Sequence, residues 1–290
     1  MILSPGLLAS LKRSRLIVRR AHATTGIGER RSRRKGSGME FVDYREYWPG
    51  DDVRHLDPHL YLRTGGYYVR EHSIEQQLPV AIIVDGSASM KFGSPTKFDF
   101  ACGLAAALAF VGLAGGDVVE VGIHASGRLS WSPRVRGVRR APIIFDWLAA
   151  QQPSGSGFGK VLGEALPRLA YRGLVVIISD WWVDDLEADL RALASIRQEV
   201  VAVHVVSAEE LDPERLGTGE ACLVDSETAY EIELVVDRDL IDDHRRAFLS
   251  WQGGLRARIA AGLGRYLQVR SDADLERLLI HDWRQLGLIA

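Results

Sequence analysis

Pro79-Val80-Ala81-Ile82-Ile83-Val84-Asp85-Gly86-Ser87-Ala88-Ser89 reads as a buried strand running into a ligand loop. Its opening residues are apolar and mostly small or β-branched, the composition and length of a strand covered on both faces. The run then breaks into a carboxylate, a glycine and two hydroxyls. Asp85, Ser87 and Ser89 stand at alternating positions where such a strand leaves its sheet, the place where open α/β sheets put ligand sites. Ser94-Pro95 has the signature of an N-cap and first helical residue, so the segment reads strand, polar loop, helix.

The alternation continues downstream. Strand 79–85 leads to a helix over about 95–114, a strand over 117–124, a turn at Ser126-Gly127, and a strand over 128–132 that closes an antiparallel hairpin. Helices over about 139–150 and 158–171, strand 174–179, helix 184–196 and strand 200–206 come next. An irregular acidic stretch, 207–219, precedes short strands near 220–224 and 230–236 and a long helix over 238–262. Strand 265–270 and a helix over 273–286, opened by the capping-box-like Ser271-x-x-Asp274, complete the pattern. Such alternation predicts an α/β domain over 79–290, with a mostly parallel sheet and helices on both faces.

Upstream, residues 39–78 read as a β-rich pre-domain segment. Pro49-Gly50-Asp51-Asp52 has proline second and glycine third, as a type II turn requires. Leu60–Arg70, interrupted by Gly65-Gly66, reads as a hairpin. Residues 1–38 carry ten Lys or Arg against Glu29 alone, in a chain whose formal net charge is -2. They read as a separate basic arm: an amphipathic helix carrying Leu7, Leu8, Leu11, Ile17 and Val18, then a glycine-containing loop.

Hydrophobic content of 47% and charged content of 26% are those of a soluble globular protein. Cys102 and Cys222 make neither a disulfide framework nor a zinc pattern, so a reducing cytoplasm is expected. The first apolar residues are too few for a secretory signal and are followed, not preceded, by basic residues. Phe100–Gly116, seventeen uncharged residues with four glycines, falls short of a membrane span and is expected to cover the sheet.

Two further loops bear comparison with the first. Gly155-Ser156-Gly157 opens a helix and offers a hydroxyl, and strand Leu174–Ser179 ends in Asp180. In a parallel sheet Asp85 and Asp180 leave by the same edge, and Ser156 is placed to reach them. Two carboxylates and three hydroxyls would then converge. Oxygen-only ligation with little charge suits magnesium, with manganese or calcium as alternatives. Neutral hydroxyls leave the ion most of its positive charge, so that a carboxylate from a partner can displace one of its waters. Trp181-Trp182 follows Asp180 directly; one indole is expected in the core and the other at the rim as an interface anchor. Gly155–Lys160 lacks the spacing and preceding strand of a phosphate loop. His55, Asp57 and His59 alternate as a metal-binding strand face would, but Pro58 disturbs that strand.

The Asp85-x-Ser87-x-Ser89 spacing resembles the von Willebrand factor A fold and its metal-ion-dependent adhesion site. The resemblance implies that Ser156 stands for the second-loop threonine and Asp180 for the third-loop aspartate, on a Rossmann-type sheet. Upstream, Gly36-x-Gly38-x-Glu40-Phe41, Arg45-x-Tyr47-x-Pro49-Gly50-Asp51-Asp52-x-Arg54-x-Leu56-Asp57, Arg63 and Val69-Arg70-Glu71 are similar to the bacterial domain-of-unknown-function family fifty-eight. Pro58 stands where that family usually has tryptophan. The family resemblance implies a von Willebrand A-like domain working beside a MoxR-type AAA+ ATPase.

Three function classes follow. The first is a non-enzymatic, metal-dependent adaptor that binds an acidic side chain of that ATPase. The second is a metal-assisted hydrolase or phosphotransferase with Asp85 as nucleophile, although the Asp-x-Asp pattern of aspartyl-phosphate enzymes is absent and the three loops contain no evident acid or base. The third is a binder of nucleic acid or anionic phospholipid through residues 1–38.

Overall fold

The computed structural model describes residues 3–18, 40–73, 78–156, 158–169, 173–183, 185–195 and 198–290. The chain divides into a large unit, Met1–Arg20 with Leu78–Ala290, and a small one, Ala21–Gln77. Helix α1 (Pro5–Leu11) opens as its sequence suggests, with Pro5 in the first turn and the Ser4 hydroxyl accepting from Leu7 N–H at 3.2 Å. Leu3, Leu7, Leu11 and Leu16 are buried in the main core. The Arg15 and Ile17 N–H groups donate to the Ala290 and Leu288 carbonyls. The expected separate arm over 1–38 is therefore corrected for residues 3–18: its leucines bury enough apolar surface to hold it in the fold. The rest of that arm, 19–38, lies outside the described residues.

In the small unit β1 (Glu40–Glu46) pairs antiparallel with β2 (Tyr68–Ser73). Asp51 N–H closes the turn onto the Trp48 carbonyl, with Gly50 at φ +105°, as read from Pro49-Gly50. The expected hairpin at Leu60–Arg70 is replaced by helix α2 (Pro58–Thr64). Asp57 is its N-cap, accepting from His59 and Leu60 N–H, Pro58 takes the first helical position, and Gly65 ends the helix in the left-handed conformation. Proline is pre-shaped for that first position, so it starts a helix here rather than disturbing a strand. Asp57 also accepts from the Tyr44 hydroxyl at 2.8 Å, a capping role rather than the metal face considered for His55, Asp57 and His59; the His55 side chain lies outside the described residues.

The large unit is built on β3 (Pro79–Asp85), β4 (Val118–Ala125), β5 (Arg128–Trp131), β6 (Val135–Arg136), β7 (Leu174–Ser179), β8 (Glu199–Val206) and, after the hairpin β9 (Gly219–Val224) and β10 (Glu231–Val236), β11 (Arg265–Arg270). The main sheet runs β11-β8-β7-β3-β4-β5, with β6 also on β4. Pairings from β11 to β4 are parallel, and β5 and β6 are antiparallel. This is a mixed sheet with flanking helices, an α/β fold.

Successive strand residues alternate between two cores, as the two-residue strand period dictates. Val80, Ile82, Val84, Val176 and Ile178 meet helix α3 (Lys97–Ala114), helix α4 (Ala141–Ala149) and Trp283 on one face. Ala81, Ile83, Val175 and Ile177 meet helices α5 (Phe158–Ala165), α6 (Leu186–Ala194) and α8 (Arg238–Leu263) on the other. The short helix α7 (Ala208–Leu211) lies within the acidic stretch expected to be irregular. Two expected helix starts move: Thr96, not Ser94, caps α3, and Asp274, not Ser271, caps the last helical segment. In each case the observed cap accepts from an N–H three residues on, the geometry that satisfies an orphan donor.

Every residue of α3 from Lys97 to Leu113 except Asp99 is buried. Among the described residues it is the one helix long and apolar enough to cross a bilayer, and 89% of it is buried in this fold. Burial pushes the Cys102 thiol within it up to about 12, while Cys222 is free and exposed. A thiol reagent at pH 8 should therefore titrate about one cysteine in the native protein and two after denaturation. Two native reactive thiols would show that α3 is not held as described.

Candidate metal-ion crevice

The chain leaves β3 toward β4 on one side and leaves β7 toward β8 on the other. The carboxyl ends of β3 and β7 thus flank the point where strand order reverses, where an α/β sheet opens a crevice. Asp85 ends β3 and Asp180 follows β7, so both carboxylates emerge at one edge, as expected. Each is about 1% exposed.

The first loop is built from Asp85 outward. Asp85 Oδ1 accepts from Ser87 N–H at 2.9 Å, and Oδ2 accepts from the Ser179 hydroxyl at 2.7 Å. The Ser87 and Ser89 hydroxyls lie 3.0 Å apart. Gly86 permits the close approach: a Cβ there would fall 2.2 Å from the His124 carbonyl oxygen of β4. The second loop is laced to the first through its backbone. Ala88 N–H donates to Gly155 O at 2.8 Å, Ser154 N–H to Gly86 O at 2.7 Å, and Ser126 N–H to Ser154 O at 2.7 Å. Gly155 holds φ +76° within 2.7 Å of Ser126 Cα, measured from its would-be Cβ, which only glycine tolerates. Ser156 follows directly and is exposed. It is brought beside the first loop by this lacing, without a hydrogen bond to the other four candidates.

The third loop adds what the sequence reading missed. Lys97 Nζ lies 2.8 Å from Asp180 Oδ2 and 2.7 Å from Glu210 Oε1, wholly buried. Glu210 is set by a capping box with Ser207 at the start of α7, a Ser-x-x-Glu pattern visible in the sequence. Burial alone would lower the Lys97 ammonium, but Asp180 and Glu210 outweigh it and hold it above the ordinary lysine value. At Asp180 burial dominates and raises the carboxyl, Lys97 opposes it, and Asp85 adds to it. His124 Nδ1 sits 3.7 Å from Asp85 Oδ1, and neither ring nitrogen has a hydrogen-bond partner. An acid or base is therefore near the loops after all, supplied by α3, α7 and β4. Asp85, however, is enclosed and both its oxygens already accept hydrogen bonds, a placement suited to fixing other ligands rather than attacking a substrate.

Of the two tryptophans one is buried, as expected, and the other is exposed. Trp181 is buried at φ +61°, with its N–H on Ser179 Oγ at 2.8 Å and its indole N–H on Val203 O at 3.1 Å. Trp182 is 50% exposed and stacks on Trp251 of α8 at 4.0 Å and 6°.

Two buried carboxylates and a pair of hydroxyls are the hard-oxygen donors that magnesium takes; both Asp180 oxygens are already engaged, Oδ2 by Lys97 Nζ and Oδ1 by Trp182 N–H at 3.3 Å. No cluster of three or more His, Cys, Asp or Glu poised for a metal occurs among the described residues. A cation here would depend on Ser87, Ser89 and Ser156.

Residues 43–251 match the family described as Protein of unknown function DUF58. This chain belongs to DUF58. The family is associated with von Willebrand A-domain and MoxR-ATPase systems in bacteria. Uncharacterized proteins of Mycobacterium tuberculosis and Mycobacterium bovis are 30% identical to this DUF58 chain over 282 residues, 93% of it and 86% of theirs. BatB from Bacteroides thetaiotaomicron has 15% identity over 72% of this chain and 98% of its own, with a TM-score of 0.42. An aerotolerance-related membrane protein from Bacteroides fragilis has 16% identity over 73% and 98%, with a TM-score of 0.43.

Proposed function

We propose that this DUF58 protein is a non-enzymatic, cytoplasmic adaptor of von Willebrand factor A type. In this reading it captures an acidic side chain of a MoxR-type AAA+ ATPase at a metal-ion-dependent adhesion site. Asp85, Ser87, Ser89, Ser156 and Asp180 hold the cation, magnesium first and manganese or calcium as alternatives. The observation that carries the reading is the convergence of the first and third loops at the switch point, with the second laced to the first. When bound, the cation supplies an open coordination position for a carboxylate. Asp85 fixes the Ser87 backbone, Lys97 neutralises one oxygen of Asp180, and Trp182 offers an apolar rim beside the ion.

The test is retention of the MoxR-type ATPase from the same bacterium on the immobilised full chain. Retention is expected in millimolar magnesium and should fall at least about tenfold in chelator and for Asp85→Ala, since a divalent contact of this kind is worth more than ~1.4 kcal/mol. Circular dichroism establishes that the variant is folded. Equal retention in chelator contradicts the reading.

A further inference from the structure

The edge of the sheet opposite the crevice carries a concentrated positive charge that the adhesion-site reading does not use. Residues 121–145 contain five arginines and no Asp or Glu, in a chain whose formal net charge is -2. They run from β4 through β5 and β6 into α4. All five, Arg128, Arg134, Arg136, Arg139 and Arg140, are exposed. Arg136 stands opposite Val118, which is level with Pro79 at the start of β3, whereas Asp85 ends β3 level with His124. The length of β3, about 20 Å, therefore separates this edge from the crevice.

Part of the charge is held in place. Buried Glu120 accepts from Arg134 at 2.6 Å and from Arg168, just past α5, at 2.9 and 3.1 Å. Arg168 also lies over the Trp131 ring, 4.8 Å from its centroid. Two guanidiniums on one carboxylate leave a net positive charge, and both stay about half exposed, at 48% and 44%. Arg136 Nε donates to Gly116 O at 3.2 Å, which orients it without cancelling its charge. Charged residues on an edge strand deter sheet-to-sheet pairing, and that accounts for Arg128 and Arg136. It does not account for Arg139 and Arg140, which lie beyond β6 in the 3-10 turn Val138–Arg140. That turn leads directly into α4, whose N-cap, Arg140, provides no side-chain cap. The first N–H groups of the helix therefore add to the positive field. Ile143 follows Arg140 by three residues and Arg139 by four, the spacing of neighbours on one helix face, and is 43% exposed.

A single-stranded nucleic acid would be met by arginines together with open aromatic faces for its bases. Here the Trp131 ring is already covered by Arg168, and the exposed apolar contact is aliphatic. Arginines around an exposed isoleucine match the surface of an anionic bilayer, where guanidiniums meet phosphates and an aliphatic side chain enters the acyl boundary. We propose that this edge, centred on Arg139, Arg140 and Ile143, is a docking surface for an anionic phospholipid bilayer. The crevice, at the opposite edge, then faces away from the membrane and stays open to a partner. The proposal goes beyond the adaptor reading and does not depend on a cation.

The experiment is sedimentation of the full chain with vesicles of phosphatidylcholine, alone or mixed with phosphatidylglycerol, at low and high salt. The variants are Arg139→Gln/Arg140→Gln, Ile143→Gln and, as a control, Arg256→Gln/Arg258→Gln, the same charge change on exposed arginines of α8. The wild type should bind only the vesicles containing phosphatidylglycerol, and less as salt rises. The Arg139→Gln/Arg140→Gln protein should bind at least about tenfold more weakly, Ile143→Gln about threefold more weakly, and the control as the wild type does. Thermal melts establish that the variants are folded. Equal vesicle binding by the Arg139→Gln/Arg140→Gln protein, an equal loss in the control, or no binding by the wild type overturns the proposal. Retention of DNA in place of vesicles, weakened by the Arg139→Gln/Arg140→Gln change and not by Ile143→Gln, would assign the edge to nucleic acid and overturn it as well.

Discussion

Lys97→Met should be the most damaging single substitution in the crevice, costing about 3–5 kcal/mol in chelator, because it leaves the buried carboxylate of Asp180 and the half-buried one of Glu210 without their cation. Lys97 is 1% exposed and the Asp180 side chain 2%, so water cannot screen what remains. Methionine keeps the length and apolar stem of lysine, which confines the change to the charge. The reading of a metal site adds a second expectation: magnesium should recover part of the loss, since an ion on Asp180 then supplies the missing positive charge and ligand binding stabilises the folded state by mass action. Urea denaturation of both proteins with and without magnesium measures the two effects. A loss under about 1 kcal/mol would mean that the triad is a surface-like pair and would remove the electrostatic basis of the site.

Gly86→Ala is the second large effect, on the order of 1–3 kcal/mol from overpacking, with loss of divalent binding. The added methyl meets the His124 carbonyl oxygen at 2.2 Å, its carbon at 3.3 Å and Ile123 Cγ2 at 3.2 Å. Two of these atoms belong to the backbone of a central strand and cannot rotate away. The loop must lift instead, and Ser87 and Ser89 move with it. Gly163→Ala in α5, where a Cβ meets nothing within 4 Å, is the control and should be neutral or stabilise by roughly 0.5–1 kcal/mol. Thermal melts paired with divalent titrations separate the packing cost from the loss of the site. A Gly86→Ala protein as stable as the wild type and still binding the ion would contradict the loop geometry.

The legible parts of this fold were those coded by a continuous local pattern. Strands β3 and β7 are buried on both faces, so their sequences are unbroken apolar runs, and their ends are marked by the first polar residue. The ligand candidates Asp85, Ser87, Ser89 and Asp180 stand at those breaks. What escaped the sequence was long-range. Lys97 meets Asp180 across 83 residues and Glu210 across 113. Neither local spacing nor composition encodes such a return. Other misreadings came from residues with two uses. Gly65-Gly66 suits a hairpin turn as well as a helix C-cap, and Asp57-Pro58 decided for the helix. The N-terminal leucines were legible as one face of an amphipathic helix, but the basic residues among them suggested a separate arm rather than a helix packed on the main core.

The central claim is that a divalent cation gathers the loop tips at the ends of β3 and β7. Its most direct test is the anomalous difference map of a crystal of the full chain soaked in manganese. The account predicts one strong peak in the crevice, about 2.0–2.6 Å from hydroxyl or carboxylate oxygens of the first loop, and none there in Asp85→Ala. A soaked wild-type crystal with manganese bound elsewhere and no peak between Ser87, Ser89 and Asp180 would contradict it.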